Sequence, residues 1–149
     1  MFQKLLVATD GSELGTKALD KAIELARLSG GSIIVLTATD PVATGIGAGG
    51  FGTINAGSIV SRLEDAYAEG AKTLLDQARA KVEAAGIDAT TLHVPRQSGA
   101  DAIIATAADR DVDLIIMGSH GRRGIGRLLL GSQAAEVLAH SKVPVLIVK

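Results

Sequence analysis

Four short runs of consecutive apolar residues recur along the chain: Leu5-Leu6-Val7-Ala8, Ile33-Ile34-Val35-Leu36, Leu114-Ile115-Ile116-Met117 and Val145-Leu146-Ile147-Val148. None alternates with polar residues, so each reads as a strand covered on both faces, the pattern of a parallel sheet between helical layers. Helical patterns separate them. Ala18, Ala22, Leu25 and Ala26 repeat at helical spacing after Asp10-Gly11-Ser12, and Gly30-Gly31 stops that helix. Tyr67, Leu74, Ala78 and Val82 mark a second helix ending near Gly86. Ser98 with Asp101 three residues on resembles a capping box opening a third, closed by residues 109–111. Residues 87–94 read as one more strand, and Ser132 as the cap of a fourth helix. The order β-α-β-α-β-α-β-α-β predicts an α/β fold: a doubly wound, five-stranded parallel sheet with helices on both faces. If the strands lie 3-2-1-4-5, the winding reverses between strands one and four, where such sheets bind ligands, and Asp10 comes beside Gly118.

At 149 residues the chain has room for one domain. Hydrophobic residues make up 47% of it but aromatic ones only 2%, so the core must be built from Ala, Val, Ile and Leu. Fifteen basic against sixteen acidic residues leave a net charge of −1, without the electrostatic footprint expected of a nucleic-acid or membrane-surface binder. The absence of cysteine excludes thiol catalysis and cysteine-ligated metals, and no histidine cluster suggests a metal site. No stretch approaches the roughly 20 apolar residues of a membrane span, and the first ten residues do not read as a leader. The expectation is a soluble, cytoplasmic protein.

Two glycine patterns compete for attention. Gly45-Ile46-Gly47-Ala48-Gly49-Gly50 has the G-x-G-x-x-G spacing of dinucleotide-binding turns, yet Pro41 and several loop residues precede it and no helical pattern follows. Without the direct strand-to-helix turn the spacing cannot set a pyrophosphate on a helix N-terminus, so it reads as a loop dense in glycine. The second pattern, Met117-Gly118-Ser119-His120-Gly121, comes directly after a strand, with Gly131-Ser132 opening the next helix. Glycines there let backbone approach a ligand, and helix N-terminal amides favour an anion. No Walker A lysine occurs, but Arg122, Arg123 and Arg127 lie within the segment and could meet phosphate. Residues 118–132 contain no carboxylate, which argues for nucleotide binding or slow turnover over efficient hydrolysis. No G-x-S-x-G elbow or assignable Ser-His-acid set supports another hydrolase chemistry. His93 and His140 read as structural.

Along its whole length the chain resembles the universal stress protein family. Asp10-Gly11-Ser12, the run from Val112 through Gly121 and the ending Val143-Pro144-Val145-Leu146-Ile147-Val148 carry the likeness, and Gly118-x2-Gly121-x9-Gly131-Ser132 is similar to the spacing of its ATP-binding branch. The resemblance implies the strand order 3-2-1-4-5, an adenine nucleotide alpha hydrolase-like fold, ATP bound with Mg or Mn, a role in stress response, and dimers. It implies Asp10 at the ribose and adenine side, the Ala38 backbone at the adenine edge, and Met117 against the base. Gly118, His120 and Gly121 would line ribose and phosphates, with Arg122 near them, while Gly131, Ser132, Gln133 and Ala134 would supply amides and one hydroxyl to the phosphate chain. Gln133 and Ala134 are larger or less polar than the residues binders commonly carry there. A sheet edge at residues 143–149 would pair with its own copy in a homodimer, against the blunting effect of Pro144 and Lys149. An enzyme of low turnover and a nucleotide-independent interaction module are the alternatives.

Overall fold

The computed structural model describes residues 1–42, 56–121 and 130–149. Its elements follow the predicted order: β1 (Lys4–Ala8), α1 (Glu13–Ser29), β2 (Ser32–Thr39), α2 (Ala56–Ala84), β3 (Ala89–Pro95), α3 (Gly99–Asp109), β4 (Leu114–Gly118), α4 (Ser132–His140) and β5 (Val145–Val148). All strands are parallel, in the order β3-β2-β1-β4-β5. The third strand starts and ends later than residues 87–94, because Gly86 turns with φ +77° and Ile87 N returns to Val82 O at 3.3 Å before the ladder begins. Helix α2 accordingly stops at Ala84, two residues short of Gly86. The sequence does not mark that C-terminal turn as separate from the strand.

The continuous apolar runs are explained by where alternate side chains go. Leu5, Val7, Ile33, Val35, Leu114 and Ile116 join Ala18, Ala22 and Ile23 of α1 and Leu75, Ala78 and Val82 of α2 in one core. Their neighbours Leu6, Ile34, Leu36, Ile115 and Met117 join Ala100 and Ile103 of α3 and Ala134 and Val137 of α4 on the other face. Successive strand residues point to opposite faces, so a strand buried twice cannot afford polar alternation. Alanine at the helix positions lets the helices sit close to the sheet without aromatic filling. Asp113 ties the sheet at its opposite end, its carboxylate accepting from Gln3 N (2.7 Å) and Lys4 N (3.2 Å).

This winding positions the site. From β1 the chain steps through α1 to β2 and through α2 to β3 on one face, then crosses to β4 and β5 on the other. Strands β1 and β4 are neighbours, in register Leu5 with Leu114 and Val7 with Ile116, and their following segments leave in opposite directions. A crevice opens above their C-terminal ends.

Candidate functional site

A cleft of about 400 Å³ lies at that crevice. Three strand ends contribute: Thr9 and Asp10 after β1, Leu36, Ala38 and Asp40 on and after β2, and Met117 with Gly118 at the end of β4. Two helix starts close it, Gly99 and Ile103 from α3 and Gly131, Ser132, Gln133 and Ala134 from α4. Of the residues singled out from sequence, Asp10, Ala38, Met117, Gly118, His120, Gly121, Gly131, Ser132, Gln133 and Ala134 all line this one cleft. Arg122, with Arg123 and Arg127, lies outside the described residues, as does the glycine pattern at 45–50.

Each strand end is carried on by a backbone bond past its last ladder pair. Thr9 N donates to Leu36 O at 3.0 Å and Ser119 N to Val148 O at 2.8 Å. Gly131 N donates to Ser119 O at 2.8 Å, which brings the start of α4 back to the end of β4. Ser119 is buried, and its Oγ lies 2.9 Å from His120 Nδ1, fixing the orientation of the imidazole at the cleft wall.

The motif glycines are required by close contacts within the protein. A β-carbon on Gly118 would lie 2.8 Å from Leu14 Cβ, where the first turn of α1 crosses β4. On Gly131 it would lie 2.8 Å from Ser119 O, and on Gly121 2.6 Å from Asp10 Oδ2. Real Cβ contacts do not close to such distances, so the spacing encodes a tight junction of β1, β4, α1 and α4 before any ligand is considered.

Local capping corrects one expectation. Ser12 caps α1, its Oγ accepting from Gly15 N at 3.1 Å, while Asp10 Oδ1 accepts from Ser12 N at 2.9 Å in a turn of its own. Ser132 does not cap α4. Gly131 occupies that position, has no side chain to offer the first-turn amides, and leaves Ser132 as the first helical residue. The sequence places serine and glycine side by side, and the backbone geometry alone decides which becomes the cap. No acid stands in the first turn of α4. An anion would therefore meet backbone donors and the positive end of the helix dipole without a competing carboxylate there.

The cleft also holds residues that the sequence reading passed over. Asp40 brings a second carboxylate, and Thr9, Gly99 and Ile103 complete the walls. Asp40 had a usable signal, since it follows the β2 run as Asp10 follows the β1 run, and polar residues after parallel strands face the ligand edge. Ile103 had none beyond its place on an apolar helix face. Among the described residues no group of three or more His, Asp or Glu could hold a metal ion by itself. No described helix is long and apolar enough to cross a membrane. Away from the cleft, His93 Nε2 lies 2.9 Å from Thr39 Oγ1 and burial lowers its pKa, while His140 Nδ1 lies 3.0 Å from Glu136 O at the end of α4.

The geometry has counterparts among known proteins. The model of the Universal stress protein family matches residues 1–149. Universal stress protein YxiE of Bacillus subtilis is 33% identical over the full length of both chains. Among solved structures, that of MJ0577, a protein of Methanocaldococcus jannaschii, superposes with a TM-score of 0.84 at 29% identity, covering all of this chain and 96% of that one. A universal stress protein in complex with cAMP superposes with a TM-score of 0.67 at 30% identity, covering 99% of this chain and 96% of that one.

Proposed function

The chain belongs to the universal stress protein family, and from that premise we propose that it binds ATP in the β1/β4 cleft and serves as a nucleotide-dependent sensor or regulator in stress response. One observation carries this reading: a cleft of about 400 Å³ is lined both by apolar Met117, Ile103 and Ala38 and by Gly121, His120 and the start of α4, which has no side-chain cap. A planar base suits the first set of residues and a phosphate chain the second. That a relative 30% identical was solved with cAMP supports an adenine nucleotide as the ligand class.

In this reading the Ala38 backbone meets the adenine edge and Met117 packs on the ring. Asp10 takes the ribose hydroxyls. The amides of Gly131, Ser132, Gln133 and Ala134, with the Ser132 hydroxyl, receive the phosphates beside Gly118, His120 and Gly121, and Arg122 adds charge. Mg or Mn would accompany the phosphates. Such an ion typically takes one or two carboxylates plus phosphate oxygens and water, for which Asp10 and Asp40 are the available acids.

Asp40 also supports a second reading, slow ATP hydrolysis, because two carboxylates at one cleft are the minimum for orienting water and holding a metal. The protein would work in the cytoplasm as a homodimer joined through residues 143–149, where β5 forms a sheet edge. Calorimetric titration with ATP, ADP, cAMP and GTP tests the function. Tight ATP binding with weak GTP binding is expected. No binding of any nucleotide would leave an interaction module that does not use one.

A further inference from the structure

Gln133 is the second residue of α4, and its side chain leaves its own helix. Oε1 accepts from Ala100 N at 2.5 Å in the first turn of α3, next to the amide of Asp101 that Ser98 Oγ already takes at 3.2 Å. A backbone N–H only donates, so the carboxamide has one possible orientation: oxygen toward Ala100, nitrogen away from it. The approach also depends on Gly99, since a β-carbon there would lie 3.3 Å from Oε1 and 3.6 Å from Cδ. Gln133 lines the cleft together with Gly99, Gly131 and Ala134, and its Nε2 has no protein partner among the described residues.

We propose that Gln133 reads the cleft ligand through Nε2, donating to an anionic oxygen of the group held at the start of α4, and that Ala100 N–H orients it for this. The ligand's identity rests on the nucleotide reading above, whereas the orientation rests on the bridge between α3 and α4. The chemistry is that of a neutral donor. It adds a charge-assisted hydrogen bond beside the backbone amides without adding a fixed charge.

Two substitutions of the same length separate the roles. Gln133→Glu keeps an oxygen for Ala100 N–H, where a carboxylate near a helix N-terminus is favourable, but turns an anionic oxygen to the cleft in place of the donor. Gln133→Met removes both. Amide exchange at Ala100 and thermal stability report the bridge, and both should be kept in Gln133→Glu and reduced in Gln133→Met. Affinity should rank the other way. ATP and, separately, inorganic triphosphate should bind Gln133→Met about tenfold more weakly than wild type, and Gln133→Glu more weakly still by about another tenfold. A residue that only braces the helices would give affinities that follow stability, with Gln133→Glu near wild type, and that result would overturn the proposal. If wild type takes triphosphate but not ATP, the nucleotide reading fails while the same ranking on triphosphate still decides Gln133. If it takes neither, both are overturned.

Discussion

Gly121 and Asp10 share one small volume: a β-carbon on the glycine would lie 2.6 Å from Asp10 Oδ2 and 3.7 Å from its Cγ. The residues are far apart in sequence and meet because β1 and β4 are neighbours. A methyl group at 121 must push the carboxylate out of the cleft wall. Gly121→Ala should weaken ATP binding about tenfold or more with circular dichroism unchanged, since the contact lies at the cleft rather than in either core. Wild-type affinity in this variant, by calorimetry, would remove Asp10 from the ligand's surroundings.

Gly131→Val should behave differently. The added side chain would meet Ser119 O at 2.8 Å and His120 Cα at 3.4 Å, both backbone. Backbone cannot swing aside as a side-chain tip can, so a stability loss of about 1–3 kcal/mol is expected along with lost binding. Denaturant unfolding of the two glycine variants side by side checks the contrast.

Hydrolysis should be slow, well below a median kcat of about 10 per second, because residues 118–132 carry no carboxylate and, among the described residues, only Asp10 and Asp40 bring acids to the cleft. A phosphate-release assay on wild type, Asp10→Ala and Asp40→Ala measures this. Brisk release abolished by either substitution would make the protein an enzyme rather than a binder.

Assembly turns on Leu146. It sits on the edge strand β5, opposite Ile116 in the ladder, yet remains 36% exposed, while Ile147 is partly buried against the core that α3 and α4 share with the sheet. An edge of unpaired backbone groups with an exposed leucine favours pairing with a second copy across a two-fold axis. Leu146→Lys should give folded monomers, whereas Ile147→Lys sets a charge against the core and should lower stability as well, so it separates folding from assembly less cleanly. Light scattering that finds the wild type monomeric at micromolar concentration would refute the edge as a dimer contact.

His93 gives the protein a pH dependence of known sign. Burial between the sheet and α2 lowers its pKa from the ordinary 6.5, so the unfolded chain binds this proton more readily than the folded one. Its neutral state costs nothing above that ordinary value. As pH falls through it toward the lowered folded pKa, stability declines. His93→Gln should flatten the acid side of the stability curve relative to wild type, as followed by thermal unfolding between about pH 5 and 7. An unchanged slope would mean the ring is as easily protonated in the fold as outside it.

Much of the architecture is written in local pattern. Unbroken runs such as Ile33-Ile34-Val35-Leu36 predict strands buried on both faces, and helical spacing between them predicts the covering layers; both are observed, as is the strand order. Asp10, Met117, Gly118, Gly121 and Gly131 could be placed near one crevice because strand ends and glycines after strands carry a positional meaning. What the sequence determined by itself is therefore what depends on nearest neighbours and on periodicity. The tertiary structure decided the rest. That Gly118 is a glycine because Leu14 crosses it, that Gly121 makes room for Asp10 and that Gln133 spends its oxygen on Ala100 are contacts between segments distant along the chain. No local pattern encodes them, because each distance is set by how strands and helices pack, and a shift of less than an ångström would give the same residues different partners.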